Sequence, residues 1–263
     1  MSSEDDIEIE DDDFDPKFDK IFPKSKHRTL QDGFNKDKVV NQVLDRSTML
    51  TMYEMINHKI ISYVNGIVKA GKESVLFWAV DCAGKDVALK IYLVATTSFK
   101  NRSKYIIGDP RFSKIKHGTR NLVFMWARKE YKNLRQCEKA NLPVVKPLYV
   151  SKNVLAMEFV GKNGVPAPTL HETEVDENDY QQAIQIITRL YKEANLVHGD
   201  FSEYNIFKTE NGLILFDLGS AVDTLHPNAQ NFLERDIKNV SYFFAKRGLT
   251  VENPADVLAK IMS

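Results

Sequence analysis

Cysteine is nearly absent: Cys82 and Cys137 are the only two in 263 residues. Two are too few for a disulfide scaffold, and they point to a reducing compartment. Long apolar runs are absent as well. The longest stretch without Asp, Glu, Lys or Arg, Thr224 to Leu233, is about half the ~20 residues that a membrane helix needs, and it is not apolar. The first residues are acids, where a signal peptide would carry a basic region and an apolar core. The expectation is a cytoplasmic protein with no membrane partner. Net charge is missing too: 36 Lys and Arg stand against 36 Asp and Glu, which gives no first sign of a nucleic-acid partner. What remains, 43% hydrophobic and 27% charged content, suits one large domain or two lobes around a cleft.

Charge and periodicity divide the chain. Residues 1–20 read as an acidic disordered tail, because residues 1–15 hold nine acids and no base and repel one another. Residues 21–64 read as a helical lead-in, on apolar residues at helical spacing such as Val40, Val43, Leu44, Met52, Met55 and Ile60. Across 65–157 the pattern turns to strands: a Gly-rich turn, Val75 to Val80, a turn over Asp81 to Asp86, and Val87 to Tyr92. A basic insert, 96–120, and a helix from about Asn121 to Asn141 follow, then short strands near 147–151 and 154–159. The last part, 158–263, opens on a Gly- and Pro-rich loop and carries helices near 177–194, 231–246 and 254–262, with short strands near 196–198 and 213–216. The expected fold class is α+β, a mostly β lobe followed by a mostly α lobe.

The chemistry-bearing residues recur in one order. Gly66 to Ser74 nearly satisfies a Walker phosphate loop, but Glu73 stands where the hydroxyl should follow Lys72, and a strand follows where a helix should. A glycine-rich hairpin over phosphates fits better, though taken alone the glycines would read as a plain turn. Val87-Ala88-Leu89-Lys90 then supplies a cation on the third strand, as in protein kinases. On the next helix Glu130 shares a stripe with Trp126, Leu134 and Cys137. A carboxylate on that face either pairs with Lys90 or is a solvated rim residue. His198-Gly199-Asp200 is followed by Asn205, and Asp217-Leu218-Gly219 comes 12 residues after Asn205, behind an apolar strand. Phosphoryl transfer needs a carboxylate to accept the proton of the nucleophile, for which Asp200 is the candidate, and oxygen ligands for magnesium, for which Asn205 and Asp217 are. His198 has no cysteine or second histidine at zinc-ligand spacing and reads as a packed structural side chain.

With these residues in place, the chain from about Asn57 onward resembles the RIO family of atypical protein kinases, and most closely its type-one branch. The strings that carry the likeness are Gly71-Lys72-Glu73-Ser74, Trp126 to Glu130, Met157 to Gly161, Gly164 to Leu170, the catalytic loop, and Arg235 to Val240. Lys69-Ala70 departs from the type-one pattern, which carries a Ser-Thr pair there. The resemblance implies a bilobal kinase-like fold with hinge and C-lobe in 158–263. It implies ATP with magnesium, or manganese in its place, with Lys72, Ser74 and Lys90 at the phosphates, Glu130 beside them, and the Glu158 and Val160 backbone at the adenine. It implies Asp200 as the catalytic residue, Asn205 and Asp217 on the metal, Asp217 as an aspartyl-phosphate acceptor, and autophosphorylation within the insert at Ser98, Ser103 or Ser113. It also implies a serine/threonine kinase and ATPase working on the pre-small-ribosomal-subunit particle and its RNA.

Asp217 and Asp236 are only 19 positions apart, which leaves no room for a long activation segment, and the 27 residues after Asp236 leave none for peptide-docking helices. Consistently, Gly199 stands where ordinary kinases place the arginine that reads a phosphorylated activation loop. The protein substrate is left open. A small-molecule phosphotransferase of the aminoglycoside or choline kinase type is the second reading, and an RNA-binding pseudokinase the third. The insert holds seven bases and one acid from Ser98 to Arg120, with Phe99, Tyr105 and Phe112 interleaved. It is either an RNA grip or a solvated loop. Without residues 1–15 the chain has 36 bases and 27 acids, so the balanced total conceals a body of charge +9.

Overall fold

The computed structural model describes residues 20–21, 44–94, 105–106, 108–112 and 118–263. The acidic tail except Lys20, the lead-in positions Val40 and Val43, and much of the insert, including Phe99, Ser98, Ser103 and Ser113, lie outside the described residues.

Helix α1 (Arg46–Asn57) starts where the Asp45 carboxylate accepts the Thr48 amide at 2.8 Å. Five strands follow as one antiparallel sheet, β1 (Tyr63–Ala70), β2 (Ser74–Val80), β3 (Asp86–Tyr92), β4 (Pro147–Ser151) and β5 (Val154–Glu158), in the order β1-β2-β3-β5-β4. Helix α2 (Thr119–Lys139) joins β3 to β4. Strand β3 is buried along most of its length because both its faces are covered. Val87, Leu89 and Ile91 point into one cluster with Met52 and Met55 of α1 and Ile21, and Ala88 and Tyr92 into another with Val123, Trp126 and Leu134 of α2. The two-residue period of a strand thus puts Lys90 on the α2 side with Ala88 and Tyr92.

The second lobe is helical: α3 (Glu177–Lys192), opened by a reciprocal Asp176/Asp179 capping box, then α4 (Ala229–Lys246) and α5 (Pro254–Met262). Its strands are short. After β5 come the pair β6 (Gly161–Lys162) and β7 (Val165–Pro166), and later β8 (Leu196–Val197) pairs with β11 (Val222–Asp223), and β9 (Ile206–Thr209) with β10 (Gly212–Leu215). The stretch from Asp217 to Asp236 holds only one helical turn, β11 and the start of α4, so no long activation segment lies between them, as expected.

Three details differ from the sequence reading. Gly66 is not in a turn: it lies inside β1, between two register shifts, and the turn is only Gly71 to Glu73. A glycine at a bulge resembles a turn glycine in sequence. Strand β9 has no signal in the sequence, because Ile206-Phe207 follows the catalytic loop without a break. The 161–168 loop contains the β6/β7 pair; Gly164, at φ +78°, lies under Trp78, where a methyl group would sit 2.3 Å from the indole.

Candidate active site

A cleft of about 260 Å³ opens between the lobes. Its apolar walls are Leu76, Ala88, Val145 and Met157, closed by the stacked rings of Phe207 and Phe216, 4.1 Å apart and 20° from parallel. Such a slot suits a flat aromatic ligand. At the hinge the Glu158 amide donates to the Lys146 carbonyl at 2.8 Å, and the Val160 carbonyl accepts from the Ala167 amide at 2.8 Å.

The polar end is built around Lys90. Its Nζ lies 2.9 Å from Glu130 Oε2 and 2.8 Å from Asp217 Oδ1, so strand β3, helix α2 and the loop after β10 meet at one ammonium group. The Tyr92 hydroxyl, one strand period further on, also donates to Glu130. Burial opposes the charge on Lys90, yet Asp217 and Glu130 outweigh it and raise its pKa above the usual lysine range. Burial pushes the Glu130 carboxyl up from its ordinary value, with Lys90 acting in the opposite direction. Asp217 itself has left-handed backbone, φ 59° and ψ 62°, a conformation that aspartate tolerates at a cost.

The loop from His198 to Asn205 faces this group. The Asn205 side-chain amide donates to the Asp200 carbonyl at 2.9 Å, and the Asn205 carbonyl accepts the Phe216 amide at 2.9 Å, which ties the loop to the strand before Asp217. His198 is buried and its Nδ1 accepts the Asp200 amide at 3.3 Å; burial pushes its pKa down to about 4, so the ring is neutral. Among the described residues no group of three or more His, Cys, Asp or Glu could hold a metal ion. Magnesium would have to draw on fewer protein ligands, and Asp217 and Asn205 fit that: with Nδ2 committed to Asp200, Asn205 offers Oδ1, and the Asp217 carboxylate is 44% exposed toward the cleft.

Of the residues singled out in the sequence, Ser74, Lys90, Glu130, Glu158, Val160, Asn205 and Asp217 line this cleft. Asp200 stands exposed beside it. Lys72 is exposed at the tip of the β1–β2 turn, and the roof is lined by Lys69, Gly71 and Ser74 instead. Tyr204 also lines the cleft, its ring 4.4 Å from His171.

A second set of residues, of which Lys129, Arg235 and Asp236 lie within strings that carry the family likeness, was given no role from sequence. Asp236, on α4, accepts the Gly199 amide at 2.7 Å and the Phe201 amide at 3.0 Å; burial pushes its carboxyl up to about 7, against the pull of those amides. Arg235 donates to the Gly199 carbonyl. From α2, the buried Lys129 donates to the carbonyls of Gly219, at 2.9 Å, and Ala221, and Asn133 to those of Leu218 and Ala221 at 2.8 and 3.0 Å. Gly219 allows this approach, since a methyl group there would sit 2.7 Å from Trp126 Nε1. The insert also differs from expectation. Tyr105 and Phe112 are buried in the core and cannot stack on bases, Arg111 is engaged by Asp109 at 2.7 Å, and Arg120 lies 3.4 Å from Asp45.

Residues 75–257 match the family model described as the RIO domain. The RIO-type serine/threonine-protein kinase Rio1 of Haloferax volcanii is 37% identical over 247 residues, covering 92% of this chain and 84% of that protein. The protein of the same name from Methanocaldococcus jannaschii is 40% identical over 216 residues, covering 80% and 72%. The human serine/threonine-protein kinase RIO1 is 35% identical over 242 residues, which cover 88% of this chain but 43% of the human protein. The fold resembles the crystal structure of the Rio2 kinase-ADP/Mg2+-phosphoaspartate complex from Chaetomium thermophilum, with TM-score 0.62 and 24% identity over 80% of this chain and 65% of that one. The chain therefore belongs to the RIO family of atypical protein kinases.

Proposed function

We propose that this chain is an ATP-dependent serine/threonine protein kinase, autophosphorylating, with an ATPase activity at the same site. The observation that carries this reading is the meeting of Lys90, Glu130 and Asp217 within 2.9 Å at the polar end of an apolar, aromatic-floored cleft that Asn205 also lines. An adenine edge would dock on the Glu158 carbonyl and Val160 amide, since the other two hinge groups are already bonded. Lys90 and Ser74 would face the phosphates, and Asp200 would orient the acceptor hydroxyl and take its proton. Magnesium, when bound, would offset the charge on the phosphate oxygens.

The exposure of Asp217 supports the ATPase branch. Its carboxylate oxygen would attack the γ-phosphorus, ADP would leave, and water would later hydrolyse the acyl phosphate to restore the carboxylate. The phosphoaspartate in the related Rio2 complex supports the same step. Membership in the family and the +9 charge of the body support a role in small ribosomal subunit maturation, with pre-subunit RNA as a partner and cytoplasmic location. Labelling with γ-labelled ATP and magnesium tests the chemistry. An acid-stable serine or threonine ester marks the kinase, a hydroxylamine-sensitive acyl phosphate marks the ATPase switch, and absence of both with ATP bound refutes the proposal.

A further inference from the structure

Part of the insert reaches the catalytic loop. Tyr105 lies edge-on to Trp126 of α2, ring centres 6.3 Å apart, and against Phe232 of α4 at 5.2 Å, so two helices from different lobes hold it. Its ring covers Gly199. A methyl group at position 199 would sit 3.3 Å from that ring and 3.1 Å from the Ser220 carbonyl, on backbone at φ +74°. The Tyr105 hydroxyl is 3.5 Å from the Gly199 carbonyl and 3.4 Å from Arg235 Nη2, which itself bonds to the same carbonyl. A few residues later, in the turn Pro110–Phe112, Arg111 is fixed by Asp109 through Nε at 2.9 Å and Nη2 at 2.7 Å. Its Nη1 donates to Asn133 Oδ1 at 2.8 Å, and Asn133 holds the Leu218 carbonyl at 2.8 Å. One short segment thus touches the residue before Asp200 and, through Asn133, the residue after Asp217.

We propose that residues 105–106 and 108–112 form a positioning brace, in which Tyr105 and Arg111 hold the Asp200 loop and the Asp217 turn in register. This is the task an activation segment performs in ordinary kinases, and only 19 positions separate Asp217 from Asp236 here. The inference rests on reading the cleft as a phosphoryl-transfer site. Tyr105 would act through the loop and touch no substrate.

The test compares full-length wild type, Tyr105→Ala and Tyr105→Phe by amide hydrogen exchange, ADP titration in magnesium, and transfer kinetics. In Tyr105→Ala, exchange at Gly199 and Phe201 rises by about tenfold or more while Leu89 of β3 and the ADP affinity stay within about twofold. The kcat falls by about tenfold with KM for ATP unchanged, and Tyr105→Phe restores both, because the ring and not the long hydroxyl contacts supplies the wedge. Unchanged exchange at Gly199 and Phe201, or a uniform rise that includes Leu89, would overturn the proposal. If Tyr105→Ala does not fold, Tyr105→Leu is measured instead: a loop-confined rise supports the brace and wild-type exchange overturns it. A wild type that transfers no phosphate would sink the reading of the cleft, while the exchange pattern would still decide the brace.

Discussion

Two walls of contacts around the catalytic loops are held by different interactions. In one, charge meets charge: Lys90 lies between Glu130 and Asp217 at the cleft. In the other, behind the cleft, charge meets backbone: Asp236 collects two amides, and Arg235 and, from α2, Lys129 hold carbonyls around Gly199 and Gly219. The first arrangement places its charged groups in the lining of the cleft, where a ligand would meet them. The second fixes loop geometry and keeps its own charges occupied. Binding and positioning are thus separated, and substitutions on the two sides should differ in kind.

Lys90→Met should have the largest effect. It leaves Glu130 buried without a cation and with only the Tyr92 hydroxyl beside it, so unfolding in urea should show a loss of about 3 kcal/mol, and transfer should fall by at least about 10²-fold. Wild-type stability would show that Glu130 does not depend on the pair. Lys129→Met on the other side should cost about 1–3 kcal/mol, because the Gly219 carbonyl loses this donor while Ala221 keeps Asn133, and lower kcat while leaving KM for ATP alone. A raised KM with unchanged kcat would erase the distinction between the walls.

Asp236 gives the contrast a pH signature. Its pKa is about 7 folded against an ordinary 3.8, so the native state binds more protons than the unfolded chain between these values. Its contribution to stability therefore falls as pH rises from about 4 to about 7 and is flat above. The stability difference between wild type and Asp236→Asn should shrink over that window, and a pH-independent difference would refute the assignment. The smallest effects belong to the roof. Lys69→Ala should raise KM for ATP about threefold, and Lys72→Ala less than about twofold, because only Lys69 lines the cleft.

The charge–charge wall was legible in sequence. Glu130 interrupts an apolar helix stripe, Lys90 ends a strand motif, and the spacing from Asp200 through Asn205 to Asp217 repeats a known order. The charge–backbone wall was legible only as positions, since Lys129, Arg235 and Asp236 lie within the strings that carry the likeness but received no role. Lys129 and Asp236 look like polar positions on amphipathic helices, and lysine and aspartate usually lie at the surface. Nothing in residue type says that a carboxylate will meet two amides far along the chain. Tyr105 and Phe112 went astray for a similar reason, since aromatics among bases compose an RNA grip and a core anchor equally well. The two-lobe plan was readable because strand alternation and helix periodicity report it directly, whereas the bulge at Gly66 depends on sheet register.

The central claim is that Asp200 serves phosphoryl transfer in a cleft whose nucleotide site is built by other residues. The most direct test measures single-turnover transfer from γ-labelled ATP to serine, together with ATP affinity, in wild type and Asp200→Ala. The account predicts a fall in transfer of about 10²–10⁴-fold with ATP affinity within about twofold of wild type. Undiminished transfer by Asp200→Ala would contradict it.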